Sequence, residues 1–311
     1  MKKEANNNYQ NLTLDGITIT VYATQDTVEY DSFDDQYDKN ANVTLVTPET
    51  AVSVFSSQGG DHVRNASGTY VLTPGVYSLS AFNFRGTEPV TLIASEGVKF
   101  TKNVVEVTYY SYSHKDTDQD YTKEYKGALT VTGFDAQGID LRVLGDVPSI
   151  TVDGNKVNSL YLHTQKSDSL TVTKNVFSGS CKNSGDYNAY IVAEQKDASY
   201  SYDLTVTDNT FAGAQNHAIG VQGRGTTYPT ANNITVTGNT FNSYGANGKT
   251  ERAAFKIWNV TGYATEKNAE LTEAAKALVE SMKVNNTFSD AVKSNANCVL
   301  ADFFENIVAF N

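Results

Sequence analysis

The sequence predicts an all-β chain wound as a parallel β-helix, a solenoid of stacked repeats. Three observations carry that expectation. A short segment of alternating β-branched residues recurs along the chain, an Asn stands at one fixed place in each copy, and a second short strand follows each copy. Self-similarity at a spacing of about 20–50 residues is the mark of units that bury their apolar face only by stacking on a neighbour.

The copies align without gaps. They are Ile150-Thr-Val-Asp-Gly-Asn-Lys-Val157, Leu170-Thr-Val-Thr-Lys-Asn-Val-Phe177, Leu204-Thr-Val-Thr-Asp-Asn-Thr-Phe211 and Ile234-Thr-Val-Thr-Gly-Asn-Thr-Phe241, with a degraded fifth ending Val284-Asn-Asn-Thr-Phe288. Alternation of apolar residue and Thr gives a half-buried strand. Asn tolerates the left-handed region better than other non-Gly residues, so Asn155, Asn175, Asn209, Asn239 and Asn286 are expected to form a recurring bend. In a stack their amides are placed to hydrogen-bond from one repeat to the next. The second strands are Leu160–His163, Ala189–Glu194, Ala218–Gln222 and Ala254–Trp258, and Gly138–Val143 fits the same slot upstream. A β-sandwich would instead show hairpin turns at 8–12-residue spacing, and only Asp153-Gly154 resembles one.

Residues 68–148 hold looser strands, at Tyr70–Leu72, Val90–Ala94 and Ala128–Thr132. Residues 1–67 are expected to cap the N-terminal end, because an open stack exposes edge strands. Within them Leu12–Tyr22 reads as strand–turn–strand, and Asp31–Asn40 is acidic and turn-rich. Residues 68–311 form the β-helix. Residues 266–283 break the pattern and read as a helical insertion, with Leu271, Ala275, Leu278 and Met282 on one stripe.

Composition limits the function classes. The 24 Lys+Arg against 35 Asp+Glu leave a net charge of −11. No basic run exceeds Lys2-Lys3, so nucleic acid is not an expected partner. No apolar run is long enough to span a bilayer as a helix. The opening Met-Lys-Lys-Glu-Ala-Asn-Asn-Asn lacks an apolar core and is not an intact signal peptide. Richness in Thr, Asn and Tyr favours a trimmed extracellular or cell-surface protein over a cytoplasmic one. Cys181 and Cys298 alone make no disulfide framework.

Alternation in the second-strand series sends Ile139/Leu141, Leu160/Leu162, Ile191/Ala193, Ile219/Val221 and Phe255/Ile257 inward. Two outward columns follow. One reads Asp140, Tyr161, Val192, Gly220, Lys256, and the other Arg142, His163, Glu194, Gln222, Trp258. This assembles a candidate saccharide groove. Trp258 and Tyr161 would stack on sugar faces, and Asp140, Gln222 and Lys256 would complete the binding set. Arg142, His163 and Glu194 are the candidate catalytic residues, His163 or Glu194 as acid or base and Arg142 tuning its neighbours.

The Asn-Thr-Phe copies with their flanking strands resemble the right-handed parallel β-helix repeats of the pectate-lyase-like superfamily, clearest over 149–311. The resemblance implies a fold and leaves activity open, since that superfamily spans lyases, hydrolases, esterases, adhesins and tailspikes. Asn216–Gly223 and Arg252–Ile257 are faintly similar to polygalacturonase motifs, but the Asp residues those enzymes use have no counterpart here. Asp186, Glu194 and Asp203 match no calcium-ligand set of the lyases, and His217 reads as a turn residue. No cofactor is expected. Calcium at Asp116-Thr-Asp-Gln-Asp120 is the alternative to a solvated loop, and a helix–loop–helix calcium site would want Gly and Glu where Tyr121 and Gly127 stand. Tyr109, Tyr110, Tyr112, Tyr121 and Tyr125 flank that run as a Tyr-rich loop suited to contacts. The expected function is extracellular binding, with or without cleavage, of a polysaccharide or other glycan. The alternative is a non-catalytic adhesin or cell-surface structural module.

Overall fold

In the computed structural model the described residues are 42–56, 63, 65–111, 125–136, 138–179, 187–195, 200–213, 217–242, 252–295 and 297–310. The expected strands within Leu12–Tyr22, the acidic stretch Asp31–Asn40, the Asp116–Asp120 run with Tyr112 and Tyr121, and Cys181, Asp186 and Asn216 lie outside them. So do the side chains of Gln195 and Arg252.

The chain is all-β with long parallel sheets. From residue 149 the same order recurs: a strand in an eight-stranded sheet, a two-residue strand in a five-stranded sheet, and a strand in a nine-stranded sheet. Ser149–Asp153, Lys156–Val157 and Ser159–Thr164 are followed by Ser169–Thr173, Val176–Phe177 and Tyr187–Gln195. Ser201–Thr207, Thr210–Phe211 and His217–Gly225 come next, then Thr230–Thr237, Thr240–Phe241 and Arg252–Trp258. Each strand pairs in parallel with its counterpart in the next repeat, so Ile150, Leu170, Leu204 and Ile234 form one column.

The pattern starts earlier than the clear repeats do. Val43–Val46, Gly68–Leu72, Val90–Ala94 and Ala128–Thr132 are the first four rungs of the eight-stranded sheet, paired Val43 with Thr69, Thr69 with Thr91 and Leu129 with Ile150. Ala81–Arg85, Val104–Tyr110 and Asp140–Asp146 open the nine-stranded sheet. The helix Ala51–Ser56 seats Phe55 in the core.

The core lies between the sheets. Leu129, Val131, Ile150, Val152, Leu170 and Val172 face Leu141, Val143, Leu160, Leu162, Ile191 and Ile219, all fully buried. Phe177, Phe211, Phe241 and Phe288 stack in a row, with ring centroids 5.3, 4.9 and 4.8 Å apart. Beside them runs the Asn ladder. Asn155 Nδ2 donates to Asn175 Oδ1 at 2.9 Å, and Asn175 to Asn209, Asn209 to Asn239 and Asn239 to Asn286 each at 3.0 Å.

The expected position of the bend shifts by one residue. The left-handed backbone belongs to Gly154, Lys174, Asp208 and Gly238, each just before the Asn, with φ between 54° and 70°. Asn155, Asn175, Asn209 and Asn239 are buried and spend their amides on the ladder instead. The helix also begins later than residue 266. It runs Glu273–Asn285, because Thr272 caps it by accepting from Ala275 N. Its Ala275, Leu278, Val279 and Met282 cover the end of the core beside Thr230–Thr237. No helix among the described residues is long and apolar enough to cross a membrane.

Candidate functional site on the nine-stranded sheet

Side chains on the outer face of the nine-stranded sheet come from alternate positions of its strands. The register reads Glu106, Arg142, Tyr161, Tyr190, Gly220, Lys256, Asp302 in one column. The next column is Thr108, Leu144, His163, Val192, Gln222, Trp258. A third begins Tyr110, Asp146 and resumes as Glu194, Arg224.

The expected columns are therefore corrected by two residues at three of their four junctions, since Val192 pairs with Gln222 rather than Gly220 and Glu194 with Arg224 rather than Gln222. Arg142, not Asp140, stands beside Tyr161, and Val192, not Glu194, stands beside His163. Tyr161 and Lys256 do share a column, as do His163, Gln222 and Trp258. Asp140 is drawn away from the face: it is buried and accepts from Asn158 Nδ2 and Ser159 Oγ, each at 2.6 Å. A carboxylate committed to two such donors has little capacity left for a ligand.

The centre of the face is an aromatic cluster. Tyr187, Tyr190 and Val192 are buried in it, with Tyr161 and Trp258 half-buried around them. Tyr187 stacks on Tyr190 at 4.8 Å, on His217 at 5.3 Å and on Trp258 at 5.7 Å. Tyr190 and Trp258 are 5.9 Å apart and nearly coplanar in orientation, at 12°. Gly220 makes this possible, since a Cβ there would lie 2.4 Å from Tyr187 Cδ1. Strict alternation turns Tyr187 inward with Ala189. As the first residue of its strand it wraps onto the outer face, so sequence reasoning missed it. Tyr190 was missed too, although it shares parity with Val192 and alternation sends it to this face.

Polar groups border the rings. Tyr190 Oη donates to Gln222 Oε1, which also accepts from Arg224 Nε at 3.3 Å. Arg224 Nη2 reaches Tyr190 Oη at 3.4 Å. His163 Nε2 lies 3.2 Å from Glu194 Oε2, on a diagonal between neighbouring strands. Burial holds the His163 pKa below its ordinary value, against the opposing pull of Glu194. The ring is then neutral near pH 7; with its proton on Nε2, as a donor to Glu194, Nδ1 is left to accept. Burial raises the Tyr190 phenol, with Arg224 opposing.

Arg142 is not joined to His163 or Glu194 by any contact among those described. Its Nη1 is 3.6 Å from Glu106 Oε2, and its guanidinium sits 5.4 Å from the Tyr161 ring centre. Lys256 Nζ is 3.1 Å from the buried Asp302 carboxylate and 5.7 Å from the Trp258 ring centre. A shallow cleft of about 560 Å³ lined by Ser80, Ala81, Thr101, Lys102, Asn103 and Glu106 adjoins the Arg142 end of the column. Among the described residues no three of His, Cys, Asp and Glu are grouped to hold a metal.

In comparisons with known proteins no family model, no curated protein and no solved structure matches the chain.

Proposed function

We propose that the chain is a right-handed parallel β-helix of the pectate-lyase-like type, acting outside the cell, that binds a polysaccharide along the outer face of its nine-stranded sheet. The observation that carries this reading is the aromatic cluster of Tyr161, Tyr187, Tyr190 and Trp258 with hydrogen-bonding side chains around it. The half-buried Tyr161 and Trp258, backed by the buried Tyr187 and Tyr190, offer apolar ring surface to the C–H face of a sugar, while Gln222, Arg224, His163 and Glu194 lie where hydroxyls would project. The cleft beside Glu106 continues the same column, so a chain of several sugars has room to lie across the strands.

The alternative of binding without cleavage draws support from Arg142. Its guanidinium is engaged by Glu106 and Tyr161, leaving His163 and Glu194 as a pair rather than a triad. On this reading the protein is a glycan-binding adhesin.

A glycan array followed by titration calorimetry and product analysis of the hits tests both. Trp258→Ala is expected to weaken binding about tenfold, a stacking loss of about 1–2 kcal/mol. Unchanged affinity in that variant removes the groove. Shortened products that vanish in Glu194→Gln would establish cleavage over adhesion.

A further inference from the structure

We propose that the outer face of the eight-stranded sheet is a second, separate binding surface, and that its ligand is the ordered water lattice of ice. The register places Thr69, Thr91, Thr130, Thr151, Thr171, Thr205 and Thr235 in one unbroken column across seven consecutive parallel strands. A second column two residues along the same rungs reads Val71, Ile93, Thr132, Asp153, Thr173, Thr207, Thr237. Thr-x-Thr stands on four of these strands, at Thr130/Thr132, Thr171/Thr173, Thr205/Thr207 and Thr235/Thr237, the last three on consecutive rungs. Thr130, Thr151, Thr171 and Thr205 are half-buried and Thr235 is exposed, so the array reaches solvent while its side chains stay packed against one another.

Strand geometry makes this a two-dimensional grid. Rungs repeat at about 4.8 Å and alternate residues along a strand at about 6.6 Å. Both spacings lie close to oxygen–oxygen repeats on the prism faces of hexagonal ice. The first column runs about 29 Å over its six steps. Each Thr offers one hydroxyl and one methyl on a β-branched stem with restricted χ1. Thr173 and Thr207 hydroxyls are already bonded to each other at 3.0 Å, which fixes their direction. Hydroxyls can anchor water oxygens at lattice points while methyls organise the water between them. A rigid array has little ordering cost left to meet on binding.

The chemistry of the face excludes its rivals. Strand propensity alone accepts Val, Ile, Tyr or Phe at an outward position. On the nine-stranded sheet outward positions do vary, through Arg142, Tyr161, Leu144, Val192, Gln222 and Trp258. Here seven rungs in succession carry Thr. Neither column contains Lys, Arg or an aromatic ring over these rungs, so there is no stacking platform for a sugar and no cation for a phosphate or acidic glycan. From Thr130 onward it also lacks the large apolar anchors of a protein interface, the exposed Leu45 lying at the far end of the sheet.

The test is made on the full chain. Labelled protein in a slowly growing ice hemisphere is expected to be incorporated, and ice crystals in its solution are expected to facet. Thr171→Tyr and Thr205→Tyr put a ring above the grid, and each is expected to lower incorporation at least tenfold with the circular dichroism melt retained. Trp258→Ala, on the other face, should leave incorporation unchanged. Exclusion of the wild-type protein from ice overturns the proposal. So does full incorporation of a folded Thr171→Tyr chain. None of these results depends on whether the aromatic face binds sugar.

Discussion

Asn175 shows how one side chain serves three strands. Its Nδ2 donates to Val152 O and Thr173 O at 2.9 Å and to Asn209 Oδ1, and its Oδ1 accepts from Asn155 N and Nδ2. Asn175→Ala would orphan the buried Asn155 N–H and take a donor from Val152 O, while Asn155 Nδ2 keeps Val131 O and Asp153 O. We expect a loss of about 3 kcal/mol in denaturant unfolding, from two or more buried groups at about 1–3 kcal/mol each. His163 gives a prediction in pH. Its pKa in the folded chain is lowered from 6.5, so the unfolded chain takes up a proton first as pH falls. The contribution is fully present above 6.5 and is lost as pH drops from there through the lowered folded value. Melting temperature followed from pH 8 to 5 should fall less in His163→Gln than in the wild type.

At the scale of the element, Thr272 sets where the helix Glu273–Asn285 begins, by accepting from Ala275 N at 3.1 Å. Thr272→Ala is expected to cost about 1 kcal/mol, read from the shift in thermal melting. The Glu266–Leu271 segment has helical propensity yet stays outside the helix because the cap lies after it. The strands were legible for a plain reason, since alternation of Thr with Val, Leu or Ile has one solution on a half-buried sheet. Their relative register was less so. Alternation decides which face a residue takes, but a slide of two residues preserves that face. Leu160 and Leu162 could have paired with Ile139 and Leu141 as well as with Leu141 and Val143, and the structure takes the second. That slide exchanged Asp140 for Arg142 beside Tyr161. In the first-strand series the invariant Asn left no such freedom, and its register was read correctly.

At the scale of the molecule, one core supports two chemically opposite faces. The nine-stranded sheet presents rings, ion pairs and a neutral imidazole, whereas the eight-stranded sheet presents hydroxyls and methyls at constant spacing. The long parallel sheets could be inferred from five copies of a short segment because stacking demands repetition. The site could not, because Tyr187, Arg224 and Glu106 owe their places to strand ends and to register rather than to any motif. The order of rungs in the eight-stranded sheet is also the order of the chain, from Val43–Val46 to Thr230–Thr237. A polypeptide leaving the ribosome thus meets each new partner immediately after that partner has been made, and it can settle on a finished template without waiting for its far end. The antiparallel Asn306–Val308, folded back on Cys298–Phe303, departs from that one-way stacking at the edge of the nine-stranded sheet.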